Sequence, residues 1–124
     1  MTHTTIARRT ALLAGDIEAL QEARLVASGD SLRADVLLMP HHGSKTSSTP
    51  AFLDAVQPGV ALVQAGYRNR FGHPAPGVLE RYRERGIRVV ESARCGAATW
   101  TSSSPDALAC QREVARRYWH HFVR

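Results

Sequence analysis

The sequence has no long apolar run, one lysine, two cysteines and few aromatic residues (6%), with no internal repeat, heptad pattern or low-complexity tract. Its longest apolar stretches, residues 36–39 and 60–63, fall far short of the roughly 18 residues a membrane helix needs, so the chain taken alone is expected to be soluble. No secretory signal is expected either, because Arg8-Arg9 precedes only five small or apolar residues before Gly15-Asp16. Two cysteines, Cys95 and Cys110, are too few to read as a disulfide framework. The expectation is two small, reduced, buried residues; in an oxidising compartment a bridge would add on the order of 3 kcal/mol.

What is present is arginine. Sixteen basic residues outweigh eleven acidic ones, for a formal charge of +5, and Lys45 is the lone lysine. The planar guanidinium suits phosphate, so nucleic acid is one partner class; charges spread over solvated faces are the other reading. Arg68, Arg70, Arg81, Arg83, Arg85 and Arg88 do cluster in sequence. A hydrophobic fraction of 44% over 124 residues fits one globular domain.

Strands and helices alternate along the first three quarters of the chain. Residues 10–14 read as a strand closed by Gly15-Asp16, and Ile17, Leu20, Ala23 and Val26 recur every three positions before Gly29, predicting a helix over 17–28. Residues 35–39 form an apolar strand stopped by Pro40, and Thr49-Pro50 is a cap and first-turn pair for a helix over 51–56. Residues 59–65 form a third strand, 66–76 a loop, and Pro76 opens a helix that stops at Gly86. Residues 87–91 and 97–101 read as strands, 102–106 as a loop, and 108–118 as either strand or helix. This alternation predicts an α/β layer around a largely buried sheet.

In such folds reactive groups gather at the carboxyl ends of strands. Asp16 ends the first strand, His41 and His42 end the second, and the loop carrying Tyr67, Arg68, Asn69, Arg70, Phe71 and His73 follows the third. Singly, each has an ordinary role open to it: Asp16 as a helix cap, the histidines as loop residues, Ser44 to Thr49 as turn and capping hydroxyls.

Together, "LLAGDIEALQE", "ADVLLMPHHGSKTSS" and "AGYRNRFGHPAPGVLERYRERGI" resemble the second half of the metallo-β-lactamase-fold domain at the carboxyl end of the ComEC-type competence family, the membrane channels for DNA uptake. The resemblance spans about residues 8–119 and makes 1–124 a single partial domain. It implies half of an αββα sandwich, with a mixed sheet and helices on one face. It also implies that Asp16 and one histidine, His42 in preference to His41, are ligands of Zn²⁺ or Mn²⁺.

The other histidine, His41, would then be a supporting or substrate contact. By the same resemblance His73 would bond a phosphate oxygen or protonate a leaving group, and Ser44, Lys45, Arg68, Asn69 and Arg70 would contact phosphates of single-stranded DNA. The family's His-x-His-x-Asp-His segment has no counterpart here, and two ligands cannot close a metal site. The expectation is therefore the C-terminal part of a metal-dependent nuclease or phosphodiesterase, inactive alone and completed by an upstream half next to a membrane channel. The parent would sit in the inner membrane with this domain on its outer side, and the isolated chain would self-associate through an uncovered sheet face. Two alternatives remain: a non-catalytic basic module that binds DNA or docks on the channel, and a hydrolase of another ester.

Overall fold

The computed structural model describes residues 2–6, 9–65, 72–101 and 104–111. A five-stranded sheet runs in the order β1 (Thr2–Ile6), β2 (Arg9–Leu13), β3 (Val36–Leu38), β4 (Val60–Val63) and β5 (Arg88–Glu91). Strand β1 pairs antiparallel with β2, while β2 to β5 are mutually parallel. Helices α1 (Ala19–Ala27), α2 (Pro50–Val56) and α3 (Pro76–Glu84) make the three crossovers. Because the parallel strands follow in sequence order, right-handed crossovers put all three helices on one face. This is the mixed α/β layer expected from the alternation of strands and helices.

Strand alternation sets the core. Leu12, Leu37 and Ala61 lie in register across β2, β3 and β4, all fully buried, and pack with Phe52, Leu53 and Val56 of α2 and Val78 and Tyr82 of α3. The next row, Leu13, Leu38, Leu62 and Val90, is also in register and points to the opposite face. There a short helix α4 (Ser92–Cys95) and a hairpin of β6 (Ala98–Thr101) and β7 (Ser104–Cys110) form a second small cluster around Val90.

Three expectations change. Cys95 and Cys110 are joined in a disulfide that fastens α4 to β7, so the reading as reduced residues is overturned. The segment 102–106, expected as a loop, enters a strand at Ser104, and the ambiguous 108–118 is strand as far as Cys110, its remainder from 112 lying outside the described residues. Helix α1 starts two residues later than expected, and the apolar row that announces it is turned outward: Leu20 and Val26 are exposed, while Glu22 is fully buried. The cause is polar, since the Glu22 carboxylate accepts the backbone N–H groups of Ser48 (2.6 Å) and Thr49 (2.7 Å) and so must face inward.

Candidate functional site

The carboxyl ends of β2, β3 and β4 are tied together by hydrogen bonds. After β2 the chain turns at Gly15, whose carbonyl accepts the His41 N–H at 2.9 Å. After β3, Pro40 is followed by three residues in the left-handed region, His41 (φ 48°), His42 (φ 53°) and Gly43 (φ 78°). Each non-glycine residue held there costs of order 1–3 kcal/mol, and such cost concentrates where side chains must be aimed.

Here it aims two imidazoles. The His42 Nδ1 lies 2.7 Å from the Gln64 carbonyl oxygen beyond β4. A carbonyl only accepts, so Nδ1 carries a proton, and in the neutral ring Nε2 then presents its lone pair. That Nε2 faces Asp16 Oδ1 at 3.5 Å, with both side chains open to solvent. The gap is longer than the roughly 2.7–2.9 Å of a charge-assisted hydrogen bond. It matches the roughly 3.4 Å between two ligand atoms that share a tetrahedral ion at about 2.1 Å from each. A backbone carbonyl on the far nitrogen is also the usual support of a metal-binding histidine. The pair therefore fits a divalent cation. Among the described residues no third His, Cys, Asp or Glu joins it.

Asp16 has no capping duty, for the residue at the start of α1 is Glu18, whose N–H is bonded by Gln21 Oε1 at 3.1 Å. Glu18 also turns towards the rim. Its Oε1 accepts the Thr46 hydroxyl at 2.8 Å and lies 3.0 Å from His41 Nδ1. That nitrogen is buried and lacks a geometrically sound hydrogen bond, so the contact with Glu18 is one of proximity. The His41 ring stands edge-on to His73, centroids 6.2 Å apart, and 6.4 Å from His42. The geometry thus separates the two neighbours: His42 faces Asp16, and His41 stands between Glu18 and His73.

The His73 turn is held by backbone. Gly43 accepts the Ala75 N–H at 2.9 Å, and a side-chain carbon at Gly43 would come within 2.5 Å of Pro74 and 2.9 Å of the Met39 sulfur. Only glycine lets the two loops approach this closely.

The rest of the serine-rich loop is internally satisfied. Ser44 is buried with its hydroxyl 3.0 Å from that of Thr46, and the fully buried Ser47 hydroxyl lies 2.9 Å from the carbonyls of Pro40 and Ser44. Ser48 (φ 56°) bonds the Tyr82 hydroxyl at 2.8 Å, and Arg81 donates to the Ser47 and Ser48 carbonyls. Thr49 caps α2 by accepting the Phe52 N–H at 3.3 Å. Lys45 is exposed in the same loop. Arg68, Asn69 and Arg70, with Tyr67 and Phe71, lie outside the described residues.

Sequence reasoning missed Glu18 and Gln64. Glu18 carried a faint signal, an acidic residue three before a glutamine at a helix start. Gln64 acts through its backbone, which leaves no mark on side-chain pattern.

No family model matches the chain. It is 36% identical over 109 residues to competence protein ComA of Neisseria gonorrhoeae, covering 87% of this chain and 16% of that protein. It is 36% identical over 85 residues to ComE operon protein 3 of Bacillus subtilis (68% of this chain, 11% of that protein), and 35% over 89 residues to recombination protein 2 of Haemophilus influenzae (72% and 11%). The chain spans roughly a sixth or less of the length of these relatives. Along most of its length it is thus a homologue of one short segment of the competence proteins.

Proposed function

We propose that this chain forms one wall of a divalent-metal phosphodiesterase site in a DNA-uptake protein, with a metallo-β-lactamase-like fold and the remaining ligands supplied by residues outside the chain. The observation that carries the reading is the 3.5 Å approach of Asp16 Oδ1 to His42 Nε2, with the far nitrogen of His42 bound to the Gln64 carbonyl. The names of the relatives supply the DNA-uptake context. A bound Zn²⁺ or Mn²⁺ would acidify a water and polarise a phosphodiester.

In that reading Asp16 and His42 hold the ion from one side. His41, beside Glu18, is placed to keep or pass a proton, and His73 stands next to it to bond a phosphate oxygen or protonate the leaving oxygen. Lys45, Arg68 and Arg70 supply phosphate contacts, and Asn69 a neutral donor. The oxidised Cys95–Cys110 pair favours a location on the outer side of the inner membrane, since disulfides persist in oxidising compartments.

Manganese titration followed by electron paramagnetic resonance tests the site directly. Weak binding is expected for the chain, with loss on Asp16→Ala or His42→Ala. In the full-length protein the same variants should abolish cleavage of single-stranded DNA. Robust cleavage by this chain alone would overturn the need for outside ligands. A preference of the full-length protein for a small ester over DNA would overturn the nuclease reading. DNA binding indifferent to metal and to His42→Ala, with no cleavage by the full-length protein, would leave a basic binding module in its place.

A further inference from the structure

A concave feature lies along the edge of the sheet, away from the histidine rim. Strand β5 pairs with β4 alone among the described residues, and beside it a recess of about 480 Å³ is lined by Arg83, Arg88 and Arg94 over an apolar floor of Leu79, Ile87 and Val89. Its volume falls in the range of about 300–1,000 Å³ usual for ligand sites. Arg83 contacts Glu80 at 2.9 Å and Arg94 contacts Glu91 at 3.3 Å. The first pair is exposed and the second keeps its arginine exposed while Glu91 is partly buried; pairs this open to water stabilise little and exchange readily. Arg88 makes no ion pair with any described residue and leaves the recess net positive.

We infer that this recess grips the phosphodiester backbone of the nucleic-acid strand presented to the histidine rim. The inference rests on the phosphodiesterase reading for what lies at the rim, and on the recess itself for the grip. Guanidinium forks bind phosphate oxygens in pairs and would exchange Glu80 and Glu91 for them. The apolar floor gives the faces of sugars and bases a surface out of water. Helix α3 sets the spacing. Its first residue, Pro76, follows the His73 turn, and Arg83 comes seven residues later. That is about 10 Å of helix rise, or roughly three nucleotides at about 3.4 Å each. A strand held at the recess therefore reaches the histidines within a few nucleotides.

Fluorescence anisotropy of a labelled oligothymidylate, titrated with the chain in chelator across a salt series, reads the grip without any metal. The triple variant Arg83→Gln, Arg88→Gln, Arg94→Gln is expected to bind about tenfold or more weakly at low salt, with a salt slope shallower by about 2 to 3. Arg88→Lys should keep most of the affinity. Manganese binding by the triple variant should match the unmodified chain, which also reports that the variant folds. Unchanged affinity and slope in the triple variant, or no oligonucleotide binding by the chain, would overturn the grip while leaving the metal result standing. Arginine-dependent binding with no manganese site would retain the grip and overturn the phosphodiesterase reading. Competition by oligoglutamate as strong as that by oligothymidylate of equal charge would overturn it in favour of an acidic protein partner.

Discussion

Leu12, Leu37 and Ala61 are fully buried under helices, whereas Leu13, Leu38 and Leu62, one position further along the same strands, face the other way with Leu13 43% exposed and the other two half-buried. The strands and the residue types are nearly the same on both faces. The difference lies in what stands opposite: a continuous helical layer on one side, and on the other a hairpin cluster at the Val90 end. Burial in this chain is therefore set by topology more than by hydrophobicity, because the crossovers that make the parallel sheet deliver helices to one side only.

Substitution should expose that contrast most strongly at the helical layer. Phe52→Ala is expected to cost about 3–5 kcal/mol in urea unfolding, against about 0.5 kcal/mol or less for Leu13→Ser. Similar losses at the two sites would mean that both faces are equally packed.

The hairpin comes next. Cys95 and Cys110 close a loop of 15-residue separation, for which the chain-entropy estimate is about 3 kcal/mol. Reduction should lower stability by up to that amount and speed hydrogen exchange in β6 and β7 more than in β2 and β3. Uniform acceleration would show one cooperative unit in place of two clusters.

Beneath the helical layer Tyr82 offers a smaller, pH-dependent effect. Burial raises its pKa well above the ordinary value, with the Glu22 carboxylate adding to the rise and the Ser48 bond and Arg81 opposing it. The unfolded chain gives up this proton near pH 10 and the folded chain only beyond it. Stability from this group is thus intact below about pH 10 and lost as pH rises further, by up to about 1.4 kcal/mol per pH unit. Tyr82→Phe should flatten that alkaline slope in urea midpoints; an unchanged slope would assign it elsewhere. Smallest of all, Leu13→Ser should reduce dye binding and self-association by the open face, and no change would place the sticky surface on the exposed Leu20 and Val26 of α1.

Much of this architecture is legible in the residue pattern. The β2, β3 and β4 runs are short, apolar and stopped by Gly15, Pro40 and the segment after Val63, and Thr49-Pro50 marks the start of α2 unambiguously. Strand β1 was not legible, because "THTTI" offers no apolar alternation for a pattern to catch. The turned face of α1 was missed because period alone assumes that apolar residues go inward, and Glu22 is needed inside as a hydrogen-bond acceptor for two N–H groups. At the rim the meeting of Asp16 with His42 follows from strand ends and was anticipated. The preference for His42 over His41 comes from the family resemblance alone; the residue pattern leaves the two open, since the difference depends on which ring reaches a backbone carbonyl 22 positions away in sequence.

The close approach at Gly43 has a consequence for how far this sequence can drift. Two loops separated by some thirty positions share a space the size of one hydrogen atom, so a change at residue 43 is in effect a change at 74 as well. Of its neighbours, Lys45 is exposed, whereas the Ser44 and Thr46 hydroxyls lie 3.0 Å apart and Thr46 also donates to Glu18. A library randomised across residues 43–46 should therefore return glycine at the first position almost without exception, hydroxyl residues preferentially at 44 and 46, and the widest diversity at 45.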